Sequence, residues 1–408
     1  MEIGLNLDLS DPPRYHVREC DEAWIDSIFA KCARYGVGRM LWRVSLGRAY
    51  YHSRLLEPVD RSCGARWVPV AQVLERLDPL KCAVESARRH GVRILAWYPF
   101  SETHVSKADL HLTDPFFARR RDLYWLNQDA SRCFLGHPCL AEPEARQRLT
   151  DICRELSDYG VDGIFLSTRT HCPRPGLSSR LSPNPDDDEF GFNDPIVREV
   201  RSLTGVDISM VPIASLDPQV REAWYRVKGA ALTQWLREVR AVLRPRGQDL
   251  FINIKPDRYS FLGNGVPANN AMRIYKDWET WIDEDLVDGV CAVTQRDFSP
   301  EPNVASIEPF TRTVPGGPFY VWTMNQYGRP PGQAASRVMD YGNWYARPPE
   351  VLDQVLAQVA REGARGAFMH EMYQLLFVDS GGRDIGIGAV PRDEYWPVIA
   401  KWAGATGS

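Results

Sequence analysis

Short apolar runs alternate with longer amphipathic segments along most of this 408-residue chain. Eight of these runs, five to seven residues long, are bounded by glycine or polar residues, a pattern typical of buried parallel strands. They cover residues 3–9, 39–44, 92–98, 163–167, 250–254, 289–294, 319–324 and 366–370. The pattern therefore predicts eight strands distributed over the whole chain.

Helical spacing of apolar residues is found between the runs. Residues 21–35 place Trp24, Ile28 and Cys32 on one face, and residues 78–90, 144–158, 219–243 and 350–362 show the same pattern. Several of these segments end at a glycine just before the next strand, which is typical of a left-handed helix cap. The glycines are Gly36, Gly91, Gly160 and Gly363.

Eight strand–helix alternations predict an α/β fold, a (β/α)8 TIM barrel that forms a single domain over residues 1–408. A doubly wound sheet of eight strands is the alternative. The barrel is favoured because no glycine-rich phosphate loop follows the first strand. Long loops follow the third, fourth, fifth and eighth strands, at residues 101–140, 172–192, 255–270 and 375–391. In a barrel they would lie over the carboxyl-terminal face.

Composition narrows the classes of partner. The net charge of -4 argues against a nucleic-acid partner, which would favour a basic face. No apolar run reaches the roughly 18 residues of a membrane span. The first six residues read as a strand without a basic or apolar leader, so we expect a cytoplasmic protein. The nine cysteines show no disulfide framework, so we expect free thiols.

Residues at or just beyond the carboxyl ends of the strands should face one cleft. They include carboxylates, indoles, amides and cations without a Cys/His cluster, so we expect no metal and no cofactor. This mixture suits cleavage of a glycosidic bond, which needs a proton-donating acid and a second carboxylate. The candidate catalytic residues are Glu371, Asp257 and Glu189. The candidate substrate-binding residues are Asn6, Arg43, Trp97, Tyr98, Glu102, His104, Arg169, His171, Lys255, Trp322, Asn325, Tyr327 and His370.

Each catalytic candidate has a structural alternative. Glu371 could pair with an arginine of the neighbouring strand. Asp257 follows Pro256 and could belong to a turn. Glu189 closes an acidic run, residues 186–189, and such runs are usually solvated.

The other polar candidates have alternatives as well. Arg43 and Arg169 could be buried structural residues. His104 and His171 are better read as substrate contacts or surface residues than as zinc ligands, because no second ligand pair accompanies them. Asp162 and Asp288 precede their strands, at the end opposite the cleft, and we expect them to be structural.

Several ordered motifs resemble those of a known family. PEAR at residues 143–146 stands before a helix, and YGVDGI follows at residues 159–164. DWETW at 277–281, LVDG at 286–289 and FGFNDP at 190–195 add to the pattern. Over about residues 80–295 the chain resembles the family-10-like glycosyl hydrolases, bacterial barrel proteins that are distinct from the family 10 xylanases.

The resemblance implies a (β/α)8 barrel, action on an oligosaccharide or polysaccharide, and a carboxylate shortly after VDGI. This chain has Ser167 and Thr168 there. We therefore expect a glycoside hydrolase whose carboxylates come from other strands. A non-catalytic glycan-binding barrel and a metal-dependent sugar isomerase or lyase are the alternatives. Cations near the strand ends indicate an anionic sugar, uronic or sulfated; they are Arg43, Arg169, Lys255 and Arg258.

Overall fold

Eight parallel strands close into a barrel in the computed structural model of the protein, which confirms the predicted TIM barrel. The structure describes residues 1–10, 13, 20–107, 110–168, 190–259, 273–293, 306–324, 326–328, 344–346, 348–370 and 394–405. The barrel strands are β1 (Glu2–Leu7), β2 (Arg39–Arg43), β5 (Arg93–Tyr98), β10 (Gly163–Ser167), β11 (Asp249–Ile254), β12 (Gly289–Val293), β13 (Phe319–Met324) and β16 (Gly366–His370). Each pairs with the next along the chain, and β16 closes on β1.

Short antiparallel hairpins follow three of the barrel strands. They stand over the carboxyl-terminal face, where the strand-to-helix loops of a barrel lie. Their strands are β3 (Ser45–Leu46) with β4 (Arg48–Ala49), β6 (His104–Lys107) with β7 (Leu110–Thr113), β8 (Tyr124–Leu126) with β9 (Cys133–Pro138), and β14 (Gln326–Gly328) with β15 (Trp344–Ala346). Two of them lie in the region of residues 101–140, which the sequence pattern treats as one long loop.

Helices lie along the chain between the barrel strands. They are α1 (Glu22–Arg34), α2 (Val68–Arg76), α3 (Pro79–His90), α4 (Pro115–Arg119), α5 (Pro143–Asp158), α6 (Asp194–Thr204), α7 (Pro218–Leu243), α8 (Trp278–Asp283), α9 (Glu308–Thr311), α10 (Pro349–Arg361) and α11 (Tyr395–Ala403). No helix within the described ranges is long and apolar enough to cross a membrane.

Helix α3 shows why these segments form where they do. The Asp78 carboxylate caps its first turn by accepting from the backbone of Leu80 and Lys81, and a proline occupies the first helical position. Its buried side chains recur at helical spacing and include Leu80 and Val84. Gly91 ends the helix with φ of 67°, a left-handed conformation that costs glycine little.

The barrel interior is filled by large side chains from alternating strand positions. They are Leu41, Leu95, Trp97, Phe165, Phe251, Cys291, Tyr320, Trp322 and Phe368. Gly4 of β1 makes room for one of them, because a Cβ at this position would overlap the Phe368 ring. The barrel is therefore a packed core, and only its carboxyl-terminal end can hold a site.

An ionic cluster closes the opposite, amino-terminal end of the barrel. Arg39 pairs with Glu2 at 2.9 Å and with Asp249 at 3.2 Å, and Asp249 also pairs with Arg93 at 2.9 Å. The two aspartates that precede strands are structural, as predicted. Asp162 accepts from the Ile94 backbone amide at 2.8 Å. In the same way, Asp288 accepts from the Leu250 amide at 2.8 Å and pairs with Arg240.

Candidate active site

Arg43, the last residue of β2, binds two carboxylates at the mouth of the barrel. Its Nη1 donates to Asp8 Oδ2 and its Nη2 to Glu102 Oε2, both at 2.5 Å. Its Nε donates to the Ser45 carbonyl oxygen at 3.1 Å. All three guanidinium nitrogens are thereby engaged, and the side chain is only 4% exposed. Arg43 is thus the buried arginine that the sequence allowed as an alternative.

The pKa of Arg43 lies above its ordinary value. Burial alone would lower it, but the carboxylates of Asp8 and Glu102 outweigh that effect. The two carboxylates differ in accessibility, since the Asp8 side chain is 12% exposed and that of Glu102 is 1% exposed. Asp8 Oδ1 also accepts from the Ser10 amide at 2.9 Å. Asp8 is therefore the more accessible member of the pair.

Glu102 is positioned by the turn after β5 and by the hairpins that follow it. Its backbone amide donates to the Pro99 carbonyl at 3.0 Å, and the next residue, Thr103, donates to the Gly136 carbonyl of β9. His137 of the same strand is 1% exposed, and burial lowers its pKa to about 3 although the Glu102 charge opposes this. A neutral imidazole therefore stands close to the buried Glu102 carboxylate.

Two indoles form the floor beneath this ion cluster. The Arg43 guanidinium carbon lies 5.0 Å from the centre of the Trp97 ring, within cation–π range. Trp97 contacts Trp322 edge to face with ring centroids 5.4 Å apart. The two residues are 1% and 2% exposed, so in this structure they support the mouth from below.

A hydrogen-bonded network fills the ends of β10 and β11, where the family resemblance implies a carboxylate. The Thr168 amide donates to Asn253 Oδ1 at 2.7 Å, and its hydroxyl donates to the Asn253 carbonyl at 2.7 Å. Asn253 Nδ2 lies 3.4 Å from Ser167 Oγ. All three residues are buried.

Beyond β11 the chain carries a cluster of cations. Lys255 is half-buried and two residues past Asn253, and burial lowers its pKa although Asp257 opposes this. Lys276 is fully buried and donates from Nζ to the Lys255 carbonyl at 2.9 Å. Burial lowers the pKa of Lys276 to about 7. Asp257 is exposed, and its Oδ1 accepts from the Tyr259 amide at 2.9 Å, which is a turn contact.

The remaining described candidates occupy different environments. Asn6 is buried near the carboxyl end of β1. Tyr98 belongs to the layer between barrel and helices, where burial raises its phenol pKa well above the usual value. His104 begins the β6–β7 hairpin and its Nδ1 lies 2.7 Å from Thr113 Oγ1. The substrate contacts predicted for these residues stay predictions.

Several predicted residues lie outside the described residues: Glu371, Glu189, Arg169, His171 and Asn325. For His370 and Tyr327 only the backbone is described. Within the described ranges, no group of three or more His, Cys, Asp or Glu side chains could hold a metal ion.

The structure adds three residues to the site beyond the proposed catalytic and substrate-binding candidates. Asp8 directly follows β1, so strand-end reasoning points to it, but its pairing with Arg43, 35 residues away in sequence, shows only in the structure. His137 lies inside the hairpin region, and Lys276 lies in the segment before α8. A lysine between aromatic residues, as in Tyr275–Lys276 before Trp278, is the one sequence signal that could have pointed to burial.

A closed (β/α)8 barrel with carboxylates, amides and cations at the carboxyl ends of its strands is an architecture shared by many glycosidases. The family model described as Glycosyl hydrolase-like 10 matches residues 47–305. This chain belongs to that family, as the sequence motifs indicated. No curated protein matches the chain.

Solved structures of glycoside hydrolases share the fold at low sequence identity. The PgaB (BpsB) glycoside hydrolase domain from Bordetella bronchiseptica is 13% identical, with 90% of this chain and 93% of that chain covered and a TM-score of 0.51. The catalytic domain of β-amylase from Paenibacillus polymyxa is 11% identical, with 98% of both chains covered and a TM-score of 0.54. The β-galactosidase from the psychrophilic Marinomonas ef1 is 11% identical, with 99% of this chain and 59% of that chain covered and a TM-score of 0.54.

Proposed function

We propose that this protein hydrolyses a glycosidic bond of an oligosaccharide or polysaccharide at the carboxyl-terminal mouth of its barrel. The observation that carries the proposal is the Asp8–Arg43–Glu102 cluster, two carboxylates on one buried guanidinium in a glycosyl hydrolase-like barrel. Membership of the family supports a glycan substrate. The glycan is proposed to carry an acidic group, uronic or sulfated, because cations stand near the mouth.

The two carboxylates suit the role of the charged carboxylate in glycoside hydrolysis, but not that of the proton donor. A guanidinium at hydrogen-bond distance favours the charged form of a carboxylate. A charged carboxylate stabilises a cationic sugar transition state or activates water, whereas the proton donor must be a protonated acid. Asp8 is the more accessible of the pair, so it is the carboxylate that stabilises the transition state or activates water. Glu102 fixes the position of Arg43.

The proton donor comes from the acids predicted at other strand ends. Glu371 directly follows β16 and is the first choice. Glu189 and Asp257 are the further candidates, although Asp257 is exposed and engaged in a turn. A carboxyl separation of about 5 Å would give retention and one of about 6.5–9.5 Å inversion.

A panel of purified glycans tests this proposal. We expect reducing ends to be released from at least one acidic member, with Glu371→Gln and Asp8→Asn each lowering kcat about a hundredfold or more. Glu144→Gln, on the exposed side of α5, is the control and should keep full activity. Full turnover by Glu371→Gln would remove the lead acid, and full turnover by Asp8→Asn would remove the role given to the ion cluster.

A second function, glycan binding without cleavage, is favoured by the Ser167–Thr168–Asn253 network. This network occupies the position of the carboxylate that the family resemblance implies, and its members hydrogen-bond to one another. Calorimetry that shows binding of a panel member, with no product after prolonged incubation, would favour this function over hydrolysis.

A further inference from the structure

The cations near the barrel mouth differ in how they are neutralised. Arg43 has two carboxylates at 2.5 Å and therefore carries no surplus positive charge toward a ligand. Arg258 is bound by both oxygens of Glu279, at 2.8 and 2.6 Å, and its guanidinium lies 4.2 Å from the centre of the Trp278 ring. These two arginines are structural in their contacts, and neither is available to bind an acidic sugar.

Lys255 is different. It lies one residue beyond β11, in the alternation of the inward-facing Phe251 and Asn253. Its side chain is half-buried, yet within the described ranges its ammonium group makes no hydrogen bond and no ion pair. Among the described residues, Asp257 is the carboxylate that acts on it electrostatically, and Asp257 is exposed. A half-buried ammonium without a counterion loses hydration and recovers little in return.

Lys276 lies directly behind Lys255. Its Nζ reaches the Lys255 carbonyl at 2.9 Å, and its side chain is fully buried. Among the described residues, the exposed Asp257 is the carboxylate that acts electrostatically on both lysines. Burial lowers the pKa of both ammonium groups, and the charges of Lys255 and Arg258 lower that of Lys276 further. An anion bound here would pair with the Lys255 ammonium group, which has no ion pair among the described residues.

We propose that Lys255, with Lys276 behind it, is the subsite that binds the acidic group of an anionic glycan, either a sugar carboxylate or a sugar sulfate. This inference rests on the proposed function for the nature of the ligand as a glycan. It assigns the selection of the acidic substrate to Lys255 and excludes Arg43 and Arg258 from that role.

The test is a binding comparison on intact protein by isothermal titration calorimetry. The probes are galacturonate and mannuronate oligosaccharides for the carboxylate arm, sulfated and unsulfated chondroitin oligosaccharides for the sulfate arm, and xylo- and cello-oligosaccharides as neutral members. We expect at least one acidic probe to bind tenfold or more tightly than the neutral probes. Lys255→Met should weaken that probe about tenfold or more, as expected for loss of a partly desolvated charge pair.

Further variants separate local from general electrostatics. Lys255→Arg should keep most of the affinity, and Lys276→Met should lose part of it. Lys401→Met is the matched control, because Lys401 is exposed on α11 and pairs with Asp353. Melting curves establish that each variant is folded. Equal losses for Lys255→Met and Lys401→Met, equal affinity for neutral and acidic probes, or no binding of any acidic probe would each overturn the inference.

Failure of this inference and failure of the proposed function give different results. Cleavage of a neutral glycan at a rate that Lys255→Met leaves unchanged would keep hydrolysis and overturn the acidic subsite. Binding of an acidic probe that depends on Lys255, without any cleavage, would keep the subsite and overturn hydrolysis.

Discussion

Arg43 and Glu102 form an ion pair of 2.5 Å in which the side chains are 4% and 1% exposed. Glu102 lies in the turn after β5, so the pair fixes that turn to the end of β2. Asp8 adds the end of β1 through the same guanidinium. One arginine therefore sets the relative positions of three strand ends and of both carboxylates assigned to the site.

Removal of that arginine should be costly. Arg43→Met leaves two carboxylates next to each other without their counterion, and breaking a buried pair in this way typically costs about 3–5 kcal/mol. We expect a loss of this size in the free energy of unfolding from urea titration. Arg43→Lys keeps the charge but not the paired geometry and should lose less.

Neutralising the partners provides the control for Arg43→Met. In the triple variant Asp8→Asn, Arg43→Met, Glu102→Gln the cluster carries no charge, so part of the lost stability should return. A loss below about 1 kcal/mol for Arg43→Met, within the range of exposed pairs, would contradict the buried ion cluster.

Glu155 of α5 should stabilise the loop after β4. Its carboxylate accepts from Tyr51 Oη at 2.9 Å, Ser53 Oγ at 2.5 Å and the Arg54 amide at 2.6 Å, and it is only 4% exposed. Glu155→Gln replaces an acceptor by an amide donor, and we expect a loss of about 2–3 kcal/mol in unfolding free energy. Glu144→Gln, in the same helix but half exposed, should change it by less than about 1 kcal/mol. Equal losses of unfolding free energy for Glu155→Gln and Glu144→Gln would contradict the stabilising role of Glu155.

Lys276 should make stability depend on pH in the alkaline range. Its pKa is about 7 in the folded protein against an ordinary value of 10.5, with Asp257, Lys255 and Arg258 as the neighbouring charges. Between these two values the unfolded chain binds a proton that the folded protein does not, so stability rises with pH. Relative to Lys276→Met, the wild type should gain on the order of 1.4 kcal/mol per pH unit in this range.

Urea midpoints at several pH values between 7 and 9.5 would measure this difference. Because other titrating groups are common to both proteins, their effects cancel in the comparison with Lys276→Met. A constant difference across the range would show that Lys276 keeps an ordinary pKa in the fold.

Much of the barrel could be predicted because its elements are long and regular. The predicted helix at 78–90 and the observed Pro79–His90 agree within one residue, and the predicted strands at 163–167, 319–324 and 366–370 have the observed bounds. The glycines predicted to end helices all have positive φ, from 67° to 81°. Apolar periodicity and glycine caps act locally, so the sequence alone carries them.

Less of the candidate site than of the barrel could be predicted from the sequence. The partners of Arg43 lie 35 and 59 residues away in sequence, and only closure of the barrel brings them together. The strands at 104–107, 110–113 and 124–126 are too short to show a period, so their region was predicted as a loop. Lys276 reaches Lys255 because the segment before α8 returns to the end of β11. Neither the ion pairs of Arg43 nor the contact between Lys276 and Lys255 produces a local pattern in the sequence.

The most direct test of the central claim is digestion of an acidic glycan in H2¹⁸O, with the new chain ends analysed by mass spectrometry. Hydrolysis at the barrel mouth predicts that each new reducing end carries one ¹⁸O atom, and that Asp8→Asn and Glu371→Gln abolish most of this product. Unsaturated ends without ¹⁸O, or intact glycan bound but uncleaved, would contradict the assignment of this barrel as a glycoside hydrolase.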